Sequence, residues 1–249
     1  MFKVAAGILS IVFLSMFSME AESASFSVSP VRIYLDAEKQ IETITIKNTS
    51  DEALVLQMSI FVWSEDEAAK DVYSPTEDIV LFPKILEIEK GQERVIRVGA
   101  RVPSENKEKT YRIYLEEIPK PGGAEQGATL RTLMRVGVPI FIVPQEGNPG
   151  GEIRELKLSD GKLTFRIYNT GNVHILIKAI SVEGINKAGA SAFSSEIAGW
   201  YLLHGNSRPY SVEIPADRCR KIKNLKISVN TDKISFEKTL SVFPEMCPR

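Results

Sequence analysis

Short β-forming segments, each followed by a cluster of turn residues, recur along most of the chain. The clearest of these segments are Thr43–Lys47, Leu54–Trp63, Val95–Val98, Tyr111–Leu115, Leu163–Tyr168, Val173–Ile180 and Leu225–Val229. They are rich in valine, isoleucine, threonine and aromatic residues, and no long segment shows the 3.6-residue period of a helix. This pattern predicts an all-β fold of the sandwich or barrel type.

A proline- and glycine-rich segment divides the chain near its middle. Pro144–Gly151 holds two prolines and three glycines in eight residues, a composition that no regular element accommodates. The halves on either side echo each other, because Thr43–Ser50 and Leu163–Gly171 both read as a strand that ends in an Asn-Thr turn. We therefore predict two immunoglobulin-like β-sandwich domains, residues 25–146 and 147–249.

The N-terminus carries the features of a secretory signal peptide. Lys3 precedes an apolar run over Val4–Met19, and small residues follow at Ala21–Ser25. Residues 1–24 are predicted to be removed on export, and an uncleaved membrane anchor is the alternative. No other stretch is apolar enough to span a bilayer, so no membrane insertion of the mature chain is expected.

Charge and motifs argue against nucleic-acid binding and catalysis. The formal net charge is −1, without the basic excess of a nucleic-acid-binding protein. No nucleophile elbow, phosphate loop or dinucleotide fingerprint is present. Of the two histidines, His174 lies in an apolar strand and His204 in a turn. We predict no catalytic residues, no cofactor and no metal site, and hence a protein that is not an enzyme.

Two cysteines follow the signal segment, Cys219 and Cys247. An even number in an exported chain predicts one disulfide. The segment between them reads as two strands joined by a turn, a hairpin that can bring its ends together. Metal binding is the rival interpretation, but neither histidine has the usual ligand spacing to the cysteines.

Several blocks of the N-terminal half match a known family in order and spacing. They are Phe26–Asp36 with Arg32, Ile46–Thr49, Ile88–Gln92, Tyr111–Pro119, and Leu130–Val143 followed by a proline. On these blocks the chain resembles the PapD-like periplasmic chaperones of pilus and fimbrial assembly. The resemblance implies two immunoglobulin-like domains in an L- or boomerang-shaped arrangement.

The resemblance also implies a function, the capping of pilus or fimbrial subunits by donor-strand complementation and their delivery to an outer-membrane usher. The donor strand is expected near Thr129–Val138, with Leu130, Thr132 and Met134 at the positions of the family's inserted side chains. Exposed apolar groups on such a strand also predict self-association of the protein when it holds no subunit.

In the family, two basic residues grip the terminal carboxylate of the subunit. Arg32 matches the first, whereas Pro139 occupies the position of the second. Arg135 lies four residues earlier on the same strand face and is the candidate replacement. The alternative function is a tandem immunoglobulin-like structural or adhesive surface module without chaperone activity, which needs no apolar donor strand beside a basic cleft residue.

Overall fold

The computed structural model describes residues 25–119 and 132–248. Within these residues the chain is almost entirely β-structure, arranged as two pairs of sheets, which confirms the predicted fold class. The predicted signal segment and Leu130 lie outside the described residues. The segment that we expect to contain the domain boundary falls between the last strand of the first pair of sheets and the first strand of the second.

The first pair of sheets contains the N-terminal strands. They are β1 (Phe26–Ser29), β2 (Ile33–Leu35), β3 (Ile41–Asn48), β4 (Leu54–Glu65), β5 (Asp71–Pro75), β6 (Ile79–Phe82), β7 (Ile85–Ile88), β8 (Glu93–Ala100), β9 (Lys109–Glu117) and β10 (Arg135–Ile142). One sheet has the order β1-β3-β8-β6, and the other has the order β2-β10-β9-β4-β5 with β7 also paired to β4. The apolar core, including Ile44, Ile96, Ile113 and Ile140, lies between them.

The second pair of sheets contains the remaining strands. They are β11 (Gly151–Ser159), β12 (Lys162–Asn169), β13 (Ile175–Asn186), β14 (Ser191–Ala198), β15 (Tyr201–Leu202), β16 (Ser207–Glu213), β17 (Ile222–Thr231) and β18 (Ser235–Ser241), with one helical turn, α1 (Ala216–Cys219). The sheet orders are β11-β12-β16 and β14-β13-β17-β18, with β15 paired to β13. A second core, built around Phe165, Val182 and Ile227, lies between these sheets.

The Asn-Thr turns in the two halves have the same structural role. The side-chain amide of Asn48 donates to the carbonyl oxygens of Glu52 and Ile88, at 2.7 and 2.9 Å. The amide of Asn169 donates in the same way to Val173 and Leu202, at 2.8 and 2.9 Å. Both asparagines are buried, and each one ties its turn to the end of a strand farther along the chain, β7 or β15, so the buried amide group has hydrogen-bond partners. The sequence echo therefore marks equivalent corners of the two sandwiches.

A disulfide joins Cys219 of α1 to Cys247, with 5.7 Å between the Cα atoms. The β17–β18 hairpin between them brings the two cysteines together, as the two predicted strands require. Both cysteines are buried in the second core. The described residues contain no free cysteine that could exchange with the disulfide.

We expect the double variant Cys219→Ser, Cys247→Ser to lose about 3.5 kcal/mol of unfolding free energy, because the bridge closes a long loop and so restricts the unfolded chain. Denaturant unfolding of wild type and variant measures this loss. Wild-type protein unfolded in a reducing agent is the matched control and should show the same loss. Equal stability of the oxidised wild type and the double variant would contradict a structural role for the bridge.

Candidate functional site

Strand β10 is covered along only part of one edge. It pairs with β9 from Arg135 to Ile142, whereas β2 pairs in parallel with Ile140 to Ile142 alone. No other strand of the described residues lies beside 135–139 on the β2 side. We call this side of residues 135–139 the open edge.

The hydrogen bonds show which backbone groups face the open edge. Val143 N–H donates to Leu35 O on the β2 side, and Met134 O accepts from Glu117 N–H on the β9 side. Backbone direction alternates along a strand, so the groups of Arg135 and Gly137 point toward the open edge. The backbone of Pro139 points the same way. Because an N–H at this position would face away from β9, the proline removes no hydrogen bond to β9. Within residues 25–119 and 132–248 no strand pairs with these outward-facing backbone groups, so the open edge can receive an added strand.

Side chains on the even-numbered positions of β10 face the N-terminal core. Ile140 and Val138 are buried, and Val136 and Met134 are half-buried against the same core. Thr132, two residues earlier, is exposed. The three expected donor-strand positions therefore differ: Met134 packs in part on the protein's own core, Thr132 is accessible, and Leu130 lies outside the described residues.

Arg32 stands at the entry to β2, one residue before the β2–β10 pairing begins, and hence beside Pro139. Its guanidinium carbon lies 5.7 Å from the ring centre of Tyr201, a residue of the second half. No carboxylate within the described ranges forms an ion pair with it. Arg32 is therefore a cation that is available to an anion at the surface it shares with Tyr34 and Tyr201, which we call the cleft.

Two phenols lie next to Arg32. Burial raises the pKa of Tyr34 and of Tyr201, and the positive charge of Arg32 opposes the rise in both. Both side chains are therefore neutral at physiological pH and can donate hydrogen bonds. The ring of Tyr34 stacks on Phe141 with a centroid distance of 5.4 Å, so it is held against the cleft wall.

An aromatic cluster fills the junction between the two halves. Trp63 and Phe141 from the first half pack with Tyr201 and Leu203 from the second, and all four are buried. His174 is fully buried and stacks on Phe141 at a centroid distance of 3.7 Å. His174 lies one residue before β13, so its predicted place inside an apolar strand is wrong by one residue, whereas its burial and ring stacking are those of a packed side chain.

Arg112 lies directly across from Pro139 on β9, on the side away from Arg32. Its guanidinium carbon is 3.9 Å from the Trp63 ring centre, and Nη1 donates to the Tyr73 hydroxyl at 3.0 Å. A Cβ atom at Gly137 would come within 3.1 Å of Arg112 Cδ, so glycine makes room for this side chain. Arg112 is therefore held inside the aromatic cluster.

Buried carboxylates link the two halves. Glu65, whose side chain is fully buried, accepts from Leu203 N–H at 2.9 Å, Asn206 Nδ2 at 3.1 Å and Arg208 Nη2 at 2.8 Å. Glu108 Oε1 lies 2.7 Å from His174 Nδ1 and also accepts the His174 backbone N–H at 3.0 Å. These contacts fix the second half against the cleft wall of the first.

Arg135 does not reach the cleft. It pairs with Glu116 at 2.8 Å and lies over the Tyr114 ring, 3.8 Å from its centre. Four residues separate it from Pro139, which is about 13 Å along a strand. The structure therefore does not bring the two expected anchor residues, Arg32 and Arg135, together. The physical reason is that side chains sharing a strand face are neighbours only at a spacing of two residues.

Sequence reasoning missed the cleft residues other than Arg32. Arg112 and Tyr114 alternate with buried Ile113 along β9, and this alternation could have assigned Arg112 to the cleft face. Tyr201 and His174 belong to the second half, and nothing in the sequence indicates which part of that half meets Arg32.

The described residues hold no group of three or more histidine, cysteine or acidic side chains that could bind a metal ion. Across the same ranges, no helix has the length and apolar character needed to cross a membrane.

Comparison with known proteins identifies a family and a shared fold. The family model described as pili and flagellar-assembly chaperone, PapD N-terminal domain, matches residues 25–148. A search of curated proteins finds no match at the sequence level.

Solved structures share the fold. A chain of the CsuC–CsuE chaperone–tip adhesion subunit complex of Acinetobacter baumannii has a TM-score of 0.61 at 16% identity, covering 87% of this chain and 98% of that one. The E. coli chaperone DraB has a TM-score of 0.54 at 18% identity, covering 86% and 98%. A chain of the Salmonella enterica SafA pilin–SafB chaperone complex has a TM-score of 0.55 at 15% identity, covering 87% and 96%.

Proposed function

The chain belongs to the PapD-like chaperones of pilus assembly, a family of chaperones and not of enzymes, and from this premise we propose that it caps a pilus or fimbrial subunit at the open edge of β10. The observation that carries the proposal is the edge itself. Backbone groups of β10 face outward beside a cleft cation that has no ion-pair partner among the described residues. An extended segment of a subunit can add to such an edge as a strand.

The position of Arg32 sets the direction of the added strand. Arg32 lies level with Pro139, where the open edge meets the start of β2. A subunit strand whose terminal carboxylate reaches Arg32 must end at that level, and it therefore runs parallel to β10. Its side chains then alternate with those of residues 129–138, and Leu130, Thr132 and Met134 enter the open core of the subunit.

Client-bound relatives support this choice of partner. The structures of CsuC with a tip adhesion subunit and of SafB with a pilin show that proteins of this fold bind such subunits. We further propose that residues 1–24 direct export to the periplasm, that residues 25–146 and 147–249 are the two domains, and that the capped subunit is passed to an outer-membrane usher. Without a subunit, the same edge offers a site for self-association.

Affinity purification from periplasm, with a tag at the C-terminus of the chaperone, tests the function. We expect a small pilin-like subunit to be recovered with the wild-type protein and to be identified by mass spectrometry. Recovery of the chaperone with no pilus or fimbrial subunit, from cells that express the subunit genes, would favour the tandem surface module instead.

The donor-strand positions give a sharper test. We expect Leu130→Ala with Met134→Ala to abolish recovery of the subunit, because the groove of the subunit loses two apolar side chains of the chaperone that fill it. Met134 also packs on the protein's own core, so the variant should lose about 1 kcal/mol of unfolding free energy while remaining folded. Periplasmic co-purification and thermal unfolding measure the two effects.

Leu133 provides the matched control for this register. Its side chain is 47% exposed and belongs to the opposite set of alternating positions, so Leu133→Ala should bind the subunit normally. Thr132→Val should strengthen binding if the threonine side chain enters an apolar groove. Loss of the subunit in Leu133→Ala, with normal binding by the double variant, would show that the opposite face is inserted.

A further inference from the structure

Lys233, in the turn between β17 and β18, projects to the junction of the two halves. Its ammonium group donates to the His174 carbonyl oxygen at 2.6 Å and lies 3.1 Å from His174 Nε2. The nearest carboxylate oxygen among the described residues, on Asp232, is 3.7 Å away and beyond hydrogen-bonding distance. An ammonium group has three donors. Two are directed at His174, and the nearest group to the third is the Asp232 carboxylate, at ion-pair distance.

A buried chain of contacts holds this lysine in place. His174 stacks on Phe141, and its Nδ1 lies 2.7 Å from Glu108 of the first half. An Nδ1–H that donates to Glu108 leaves Nε2 as an acceptor for Lys233. The lysine is therefore fixed through an imidazole whose orientation is set by the first half.

Arg32 and Lys233 approach the same place from different halves. The His174 ring, which contacts Lys233, lies 5.6 Å from the ring of Tyr201 and 6.3 Å from that of Tyr34, both as centroid distances. Arg32 lies 5.7 Å from the Tyr201 ring centre. Burial lowers the pKa of Lys233, and the charge of Arg32 lowers it further, whereas Asp232 and Glu108 raise it. Arg32 and Lys233 therefore both border the group of rings formed by Tyr34, Tyr201 and His174.

We propose that Lys233 is the second cation of the cleft, and that a terminal carboxylate binds between it and Arg32. This inference rests on the proposed function, because the carboxylate is that of the capped subunit. A carboxylate has two oxygens with about four acceptor positions, enough for a guanidinium on one side and an ammonium on the other. The bound anion would also offset the repulsion between the two cations. It follows that the second half takes the place of the missing basic residue at Pro139, and that the subunit terminus bridges the two halves.

A pair of peptides tests the site directly. The probes are an acetylated octapeptide of alternating threonine and valine with a C-terminal carboxylate, and the same peptide ending in a carboxamide. Isothermal titration at low salt should give wild-type protein a preference for the acid of about tenfold or more. Lys233→Gln should reduce this preference to about threefold or less without changing the affinity for the amide. Lys233→Arg, which keeps the charge, should retain it.

The controls separate this site from the proposed function. Lys223→Gln removes the same charge from an exposed lysine of the same half and should behave as wild type. Full acid preference in Lys233→Gln, or no acid preference in the wild type, would overturn the assignment. As a second readout, Lys233→Gln should recover about tenfold less subunit from periplasm, and undiminished recovery would also overturn it. The proposed function fails separately, if the wild type itself recovers no subunit.

Discussion

Arg32→Ala is expected to leave the protein folded and to weaken subunit binding by at least tenfold. Arg32 makes no ion pair within the described ranges, so its removal leaves no carboxylate of those ranges without a partner. A subunit carboxylate in the partly dry cleft would lose its guanidinium partner, and removing one partner of a buried charged pair costs about 2–5 kcal/mol. Recovery of the subunit from periplasm and direct titration measure the effect.

Arg97→Ala is the matched control, because Arg97 is an exposed arginine of β8 in the other sheet of the same half. It should bind the subunit as wild type does. Normal binding by Arg32→Ala, or a large fall in its melting temperature, would show that Arg32 stabilises the fold and does not anchor a partner.

Glu65→Ala is expected to destabilise the protein by about 3–5 kcal/mol, because removing one partner of a buried ion pair leaves the other charge uncompensated. Arg208, whose side chain is 20% exposed, would lose its carboxylate partner, and two further donors of the second half would lose their acceptor. Denaturant unfolding measures the loss. The transition should also lose cooperativity between the halves, since this contact links them.

Glu67→Ala is the control for Glu65→Ala, since Glu67 is an exposed acid two residues further along the chain and should change stability little. The double variant Glu65→Ala, Arg208→Ala should be less destabilised than the sum of its single variants, because no uncompensated charge remains. Additive losses would mean that the two side chains act independently.

The strands could be predicted from the sequence because their local patterns are strong. Leu163, Phe165 and Ile167 alternate with polar residues, and the structure buries all three in β12. The turns at Asn48 and Asn169 could likewise be matched in the sequence, since each is an Asn-Thr pair at the end of a strand. In the structure each asparagine makes the same pair of hydrogen bonds. Local chemistry determines both features.

The cleft could be predicted only in part. The family resemblance identifies Arg32, whereas strand parity alone favours Arg135 as its partner. Parity identifies a shared face but not a distance, and the pairing of β10 places Arg135 beside Glu116. Lys233 could not be found, because its nearness to Arg32 depends on how the two halves pack. The open edge was equally hidden, since it exists because β2 pairs with only three residues of β10.

The most direct test of the account is backbone amide hydrogen exchange of the chaperone, measured alone and with its co-purified subunit. The account predicts that the subunit slows exchange of residues 129–138, because an added strand satisfies the open edge. Residues Ile79–Phe82 of β6, in the opposite sheet, serve as the internal reference and should not change. Unchanged exchange at 129–138 in a stable complex would contradict donation of this strand and place the subunit elsewhere on the chaperone.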